Sequence, residues 1–277
     1  MLKTVIKGNI NAKTKIIGKG VHIEEGVVIT GKEGPMEELV LGDFCYIGNS
    51  TKIIMPKFRL GDYSKLNEHS FLHGEKPMQI GRNCWIGGHV VLDSMGGLDI
   101  DDNVGIGAQS QIWTHIQFGD IVEGCRFYSK RYMLIEKDVW FVGHCIISPV
   151  RVGTKSMALV GSVITHDMKP NHVYGGVPAK DLTDKVGPQF EDYTIDQKAS
   201  KLQKLIDDFI NKYPKYKDKL KVVQSADEIE DNICCFDVSR RIYTKRYLEA
   251  EIKFLKAYVP LIKFIPENEN TFIIPQK

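Results

Sequence analysis

The feature that most limits what this chain can fold into is a six-residue repeat. Over Ile135 to Lys180, large or aliphatic side chains recur at Ile135, Phe141 and Ile147, and again at Val152, Ala158 and Ile164. An amphipathic helix repeats near 3.6 residues and a half-buried strand near two, so neither element explains the spacing. A parallel β-helix does, because each of its sides presents one inward residue to a shared core.

The same period runs back through the first two thirds of the sequence. The inward residues read as rows of three: Ile17, Ile23, Ile29; Leu41, Ile47, Ile53; Leu60, Leu66, Leu72; Ile80, Ile86, Leu92; Ile100, Ile106, Ile112; Ile135, Phe141, Ile147; and Val152, Ala158, Ile164. That makes seven triangular coils. Glycine follows the aliphatic residue at several of these positions, Gly42, Gly61, Gly81 and Gly107 among them, as tight corners favour. A sandwich of short strands would instead show alternation with period two and two-residue hairpin turns, which are largely missing. The expected class is therefore mainly β, with a β-helix over 1–184 and a different C-terminal piece over 185–277.

Departures from the period are as informative as the period. Every gain or loss of residues falls between the third side of one row and the first side of the next, after Ile29, Ile53, Leu72, Leu92, Ile112 and Ile147. One corner therefore collects the loops. The longest insertion, Ile116 to Leu134, begins directly after His115 and contains Phe118, Phe127, Tyr128 and Tyr132. Long loops in compact domains are usually functional or disordered, and this one is too aromatic for a disordered tether. It is expected to reach out as an arm or lid.

Coil arithmetic also places the neighbours of His115, since adjacent coils stack about 4.8 Å apart. Asp93, Ser94 and Met95 fall one coil below at the same corner, His73 and Gly74 two below, and Ser148 one above. A lone histidine is most often a solvated surface residue. At the mouth of the longest loop it is a candidate general base for a hydroxyl or an amine.

Composition bounds the class. With 277 residues, 43% of them hydrophobic, and a formal charge of +2, the chain reads as a soluble globular protein of one large or two smaller domains. Lys and Arg form no basic stripe, so nothing points to nucleic acid. No run of about 18 apolar residues suggests a membrane span, and the N-terminal residues lack a signal-peptide core, so a cytoplasmic location is expected. The six cysteines are scattered without zinc-site spacing and read as reduced, mostly buried small hydrophobes.

The segments IEKDVWFVGHCIISP and VGTKSMALVGSVITHDMKPNHVYGGVPAK resemble the end of the β-helix in hexapeptide-repeat acyltransferases, the group that contains galactoside, maltose and xenobiotic O-acetyltransferases and many sugar acetyltransferases. The likeness is most specific over about residues 80–182 and is one of period alone over 8–79. It implies a left-handed β-helix, a homotrimer with active sites between subunits, and acetyl-CoA as acyl donor without a metal. By the same resemblance His115, in Ile112-Trp113-Thr114-His115, matches the catalytic base, although Ile116 stands where a proline often follows. Trp140, Gly143, Val160 and Gly161 match the pantetheine side of the donor site, and Thr165, His166 and Lys180 its nucleotide end. Trp140, facing outward, suits a trimer interface equally well. Asp93, Ser94, Thr114, His144 and the arm would meet a saccharide acceptor. A backbone N–H beside Gly143 would hold the oxyanion. No serine with its own base is evident, so direct transfer is expected rather than an acyl-enzyme.

His89 and His144 repeat at one place on the second side, two coils apart with Gln109 between. Because β-helix carbonic anhydrases hold zinc through three histidines, a zinc enzyme is one alternative, and a non-catalytic scaffold another. One zinc needs nitrogens at about 2.0–2.1 Å, whereas these positions begin near 10 Å apart. Beyond Asp184 the period stops. Residues 195–213 read as an amphipathic helix ending near Pro214, KLKVV and NICCFDVSRRIYTK as strands, and 246–266 as a second helix running into an extended tail. This α+β piece is expected to cap the open β-helix end, with acceptor or trimer contacts as further roles.

Overall fold

The structure is a computed structural model that describes residues 2–267, which fall into two compact units, 2–190 and 191–267. The first unit is a left-handed parallel β-helix whose three sides form three parallel sheets. The first side stacks six strands from Ala12–Ile17 to Met133–Ile135, and single bridges carry it on through Val152 to Met168. The second side stacks ten strands from Val5–Ile6, closing on the antiparallel strand Ala179–Asp181. The third stacks eight, from Asn9–Ile10 to Val163–Ile164.

The rows of inward residues pair as their spacing requires. Ile80 lies against Ile100, Ile86 against Ile106, and Leu92 against Ile112, and the same register holds from Ile17 to Ile164. All the inward residues except the part-buried Ile17 are at most 1% exposed. Each such side chain contributes roughly 1.5–3 kcal/mol of burial. Partial coils flank the seven complete ones, with Ile6 and Ile10 before them and Met168 and Tyr174 after.

Two of the three corners are regular, and each turns through a residue in the left-handed region. From the first side to the second these are Phe44, Tyr63, Asn83, Asn103 and Asp138; from the second to the third they are Ser50, His69, His89, Gln109 and His144, all with φ between 51° and 67°. Asn, Asp and His are the non-glycine residues that tolerate this conformation best. The histidine column seen in the sequence therefore has a backbone reason.

The first-to-second corner is also tied by buried carboxylates. Asp43 accepts from the Lys19 N–H at 2.6 Å, Asp62 from the Asp43 N–H at 2.7 Å and Asp102 from the Arg82 N–H at 2.7 Å, so each carboxylate satisfies a donor on the coil before it. Arg82 adds a charged contact by donating Nε to Asp102 at 3.1 Å. Elsewhere the coils approach too closely for any side chain. A Cβ on Gly107 would run into the Val142 carbonyl.

The second unit begins with the helix Ile195–Lys212, whose start is fixed by a capping box: the Gln197 N–H donates to the Thr194 hydroxyl, and the Thr194 N–H donates to the Gln197 side chain. Its buried residues are Leu202, Ile206 and Phe209. A sheet follows in the order Leu220–Val223, Cys234–Asp237, Ile242–Tyr243, Ile265–Pro266, and the rings of Phe209, Phe236 and Phe254 meet in its core. The second helix is shorter than its sequence pattern suggests, running only over Glu249–Tyr258. Pro260 has no N–H to continue it, and Ile265–Pro266 is used as an edge strand instead. The extended tail expected after it lies outside the described residues. Among the described residues, no helix is long and apolar enough to cross a membrane.

Two substitutions test the stacking. Gly107→Ala should cost about 1–3 kcal/mol by overpacking, and Ile106→Ala about 2–5 kcal/mol through the cavity it leaves. Urea unfolding reads both, and wild-type stability for Gly107→Ala would show that these two coils are not held at the close spacing described.

Candidate active site

At the corner where the third side passes into the next first side, the chain leaves the β-helix after Ile112. His115–Gln117 pairs antiparallel with Tyr128–Lys130, His115 opposite Lys130, so the long insertion is a β-hairpin arm. It returns at Met133–Ile135, which already belongs to the first side, with Met133 buried against Leu98. The arm therefore ends at Tyr132, two residues earlier than the period suggests. Phe118, Ile121, Val122 and Phe127 on it are exposed. Its base is tied down by Lys130 Nζ to Glu75 at 3.0 Å and by the Tyr132 hydroxyl donating to Asp99 at 2.7 Å. Burial, and then the Asp99 carboxylate, push the Tyr132 phenol up.

His115 is the first residue of that arm. Its Nδ1 lies 2.8 Å from Asp93 Oδ2, while its side chain stays 22% exposed. Asp93 is fully buried and heavily bonded: Oδ2 also accepts from the Thr114 N–H at 2.7 Å and hydroxyl at 2.8 Å, and Oδ1 accepts from the Met95 N–H at 3.1 Å. Burial alone would raise this carboxyl, but the bonds from His115, Thr114 and Met95 outweigh it and hold it below the usual value. An ionised carboxylate can only accept, so His115 Nδ1 donates and the lone pair sits on Nε2.

The acceptor contacts expected from Asp93, Ser94 and Thr114 are not available to a ligand. All three are fully buried. The Ser94 hydroxyl is engaged with the Lys76 and Pro77 carbonyls, and the Thr114 hydroxyl with Asp93 and the Gly96 N–H. They shape the corner beneath His115. Beside Asp93 in register is His73, half-buried and stacked on Phe71 with ring centroids 4.6 Å apart. Burial lowers the His73 imidazole below its ordinary value, with Asp93 opposing and His115 reinforcing the shift.

The expected donor residues divide between corners. Gly143, His144, Val160 and Gly161 line the second-to-third corner, where the Gly161 N–H donates to the Gly143 carbonyl at 3.0 Å, and Trp140 lies on the second side over Gly105, 46% exposed. Thr165 and His166, bonded to each other at 2.9 Å, sit instead on the His115 corner, two coils beyond Trp113. Lys180 is exposed on the closing hairpin opposite Gly175. A side of about six residues separates the two corners, roughly 15–20 Å. One chain therefore does not bring Gly143 to His115.

The histidine column also includes His69, which the spacing of His89 and His144 alone did not reveal. The rings of His69 and His89 stack at 5.0 Å and 17°. Imidazole lone pairs lie in the ring plane, so two such rings do not aim at one ion. Among the described residues, no group of three or more His, Cys, Asp or Glu is placed to hold a metal.

The two titrating groups at this corner give a common pH signature. His73 is neutral in the fold below the 6.5 at which the unfolded chain takes a proton, so its share of stability is present above 6.5 and lost as pH falls through its lowered value. Asp93 acts likewise from 3.8 downward. The urea midpoint should fall between pH 7 and 5, and His73→Gln should flatten that fall. An identical slope in the variant would show that His73 is not held neutral.

No family model and no curated protein matches the chain. Among solved structures it is similar to a hexapeptide-repeat acetyltransferase of Vibrio cholerae complexed with acetyl-coenzyme A, at 26% identity over 45% of this chain and 69% of that one, TM-score 0.40. It is similar to the polySia-specific acetyltransferase NeuO at 18% identity over 72% and 97% of the two chains, TM-score 0.40. A variant of AntD, an N-acyltransferase from Bacillus cereus in complex with dTDP and coenzyme A, matches at 15% identity over 73% and 93%, TM-score 0.44.

Proposed function

We propose that this protein is an acetyl-CoA-dependent acetyltransferase that acts on a hydroxyl or amino group of a saccharide. The observation that carries the reading is the Asp93–His115 pair, with a buried carboxylate under a part-exposed imidazole at the root of the arm. His115 Nε2 takes the proton of the acceptor as its oxygen or nitrogen attacks the thioester carbon. The buried carboxylate of Asp93 stabilises the resulting imidazolium and keeps the ring oriented. Collapse of the tetrahedral intermediate breaks the carbon–sulfur bond, and His115 returns the proton to the departing thiolate, giving the acetylated sugar and free CoA. No acyl-enzyme is needed.

The separation of corners supports an assembly of three copies. Trp140, Gly143, Val160 and Gly161 of one copy would line the pantetheine against the His115 corner of the next, with an N–H beside Gly143 available to the oxyanion. Thr165, His166 and Lys180 would lie toward the nucleotide. His144, exposed at the same corner as Gly143, would then reach the neighbour's acceptor. Acetyl-CoA as donor fits the expected cytoplasmic location.

Saturating acetyl-CoA at about 100 times its dissociation constant should stabilise the protein by about 2.7 kcal/mol, visible as a rise in melting temperature. His115→Ala should lower turnover by about 10²–10⁴ while that rise persists. Asp93→Asn, which removes the carboxylate that holds the His115 tautomer and stabilises the imidazolium, should lower it by up to about 10⁴. Unchanged turnover in His115→Ala would remove the histidine from its role, and no thermal shift with acetyl-CoA or longer acyl-CoAs would turn attention to metals and to the scaffold alternative.

A further inference from the structure

The half-buried imidazole that this chemistry leaves unused is His73. It is in register with Asp93 one coil on, and Asp93 lies directly beneath His115. Trp113 flanks His115 with ring centroids 6.3 Å apart, and it belongs to the coil beyond Asp93. His73 thus stands two coils before the one that carries Trp113 and His115. Phe71, two residues before His73 and so on the same outward face, is 39% exposed and packs its ring nearly parallel to the imidazole, at 15°.

Direction along the corner separates the two substrates. Thr165 and His166, assigned above to the donor, lie on the C-terminal side of His115. The N-terminal side, where His73 and Phe71 stand, is left for the acceptor. Lys130 and Glu75 there are paired with each other at 3.0 Å, and exposed Lys52 lies in register with Phe71 on the preceding coil. The face therefore presents an apolar ring, a flanking cation and an uncharged imidazole that offers one donor and one acceptor. That combination suits a sugar ring, with its apolar C–H face and hydroxyls, better than a cationic amine.

We propose that Phe71 and His73 form the acceptor subsite, Phe71 as the apolar wall against a sugar ring and His73 as the hydrogen-bond partner of a hydroxyl next to the one acylated. The assignment rests on the acetyltransferase reading and narrows its acceptor to a sugar hydroxyl rather than a cationic sugar amine. His73 binds and orients. His115 alone moves the proton.

The test uses the full chain with acetyl-CoA and the methyl glycosides of glucose, galactose, mannose and N-acetylglucosamine, reading free CoA thiol. His73→Leu should raise the acceptor KM about tenfold or more, the size of one lost uncharged hydrogen bond with its packing. Its KM for acetyl-CoA, its thermal shift with acetyl-CoA and the pH profile of kcat should stay as in wild type. His73→Asn should restore part of the loss, and Phe71→Ala, at an exposed ring, should raise the acceptor KM in a chain that keeps its fold. An unchanged acceptor KM in both His73→Leu and Phe71→Ala overturns the subsite, as does an equal loss of acetyl-CoA affinity or a moved pH profile. A wild type stabilised by acetyl-CoA that releases no CoA with any glycoside overturns the sugar-hydroxyl assignment alone. One that acetyl-CoA does not stabilise at all ends the acetyltransferase reading, and the subsite with it.

Discussion

Everything in the first unit depends on backbone pairing between coils. Each coil is too short and too narrow to bury anything alone, and its N–H and C=O groups find partners only on the coils above and below. That repeat holds the coils about 4.8 Å apart, and it dictates which residues the corners accept. Where backbone meets backbone, as at Gly107 and Val142, no side chain fits. Where the chain must turn sharply, Asn, Asp and His appear with positive φ. The position of His115 is one more result of this stacking, fixed by the pairing of Leu92 with Ile112.

The same lattice makes a buried carboxylate affordable beneath the candidate base. Removing Asp93 from water is costly, yet both of its oxygens are met by donors that the corner supplies, three of them from Thr114 and Met95. The carboxylate is thus in place before His115 engages it. An imidazole bonded to such an anchor has little rotational freedom, and its side chain stays partly exposed. Preorganisation of this kind keeps the orienting cost out of the reaction step.

The β-helix was largely legible in the sequence because its period is dictated by geometry that no ordinary helix or strand shares. The inward rows from Ile17 to Ile164, the single irregular corner and the departure of the chain at His115 all follow from counting. What counting misses is where a loop folds back. Asp93 falls near His115 on the coil register, but its burial depends on Thr114 and His115 closing over it, so its role as an anchor rather than an acceptor contact was not readable. The arm's hairpin pairing was hidden because Ile116, Phe118 and Phe127 lack a clear alternation. The histidine column looked like chemistry because the tolerance of histidine for a left-handed turn leaves no separate mark in a sequence. In the second unit the helical pattern after Arg246 ran past Pro260, a signal that was present and decides where that helix ends.

Because changes of length among the seven complete coils are confined to one corner, the chain can gain or lose residues there while the other two corners keep their stacking. The next first side re-enters the sheet in register whether the preceding connection has four residues, as between Ile147 and Val152, or many more, as the return at Met133 after the arm demonstrates. With the proposed acceptor site on that corner, folding and acceptor choice would be written on different parts of the surface. Such a molecule can acquire a new substrate by editing a single edge, with no renegotiation of its core.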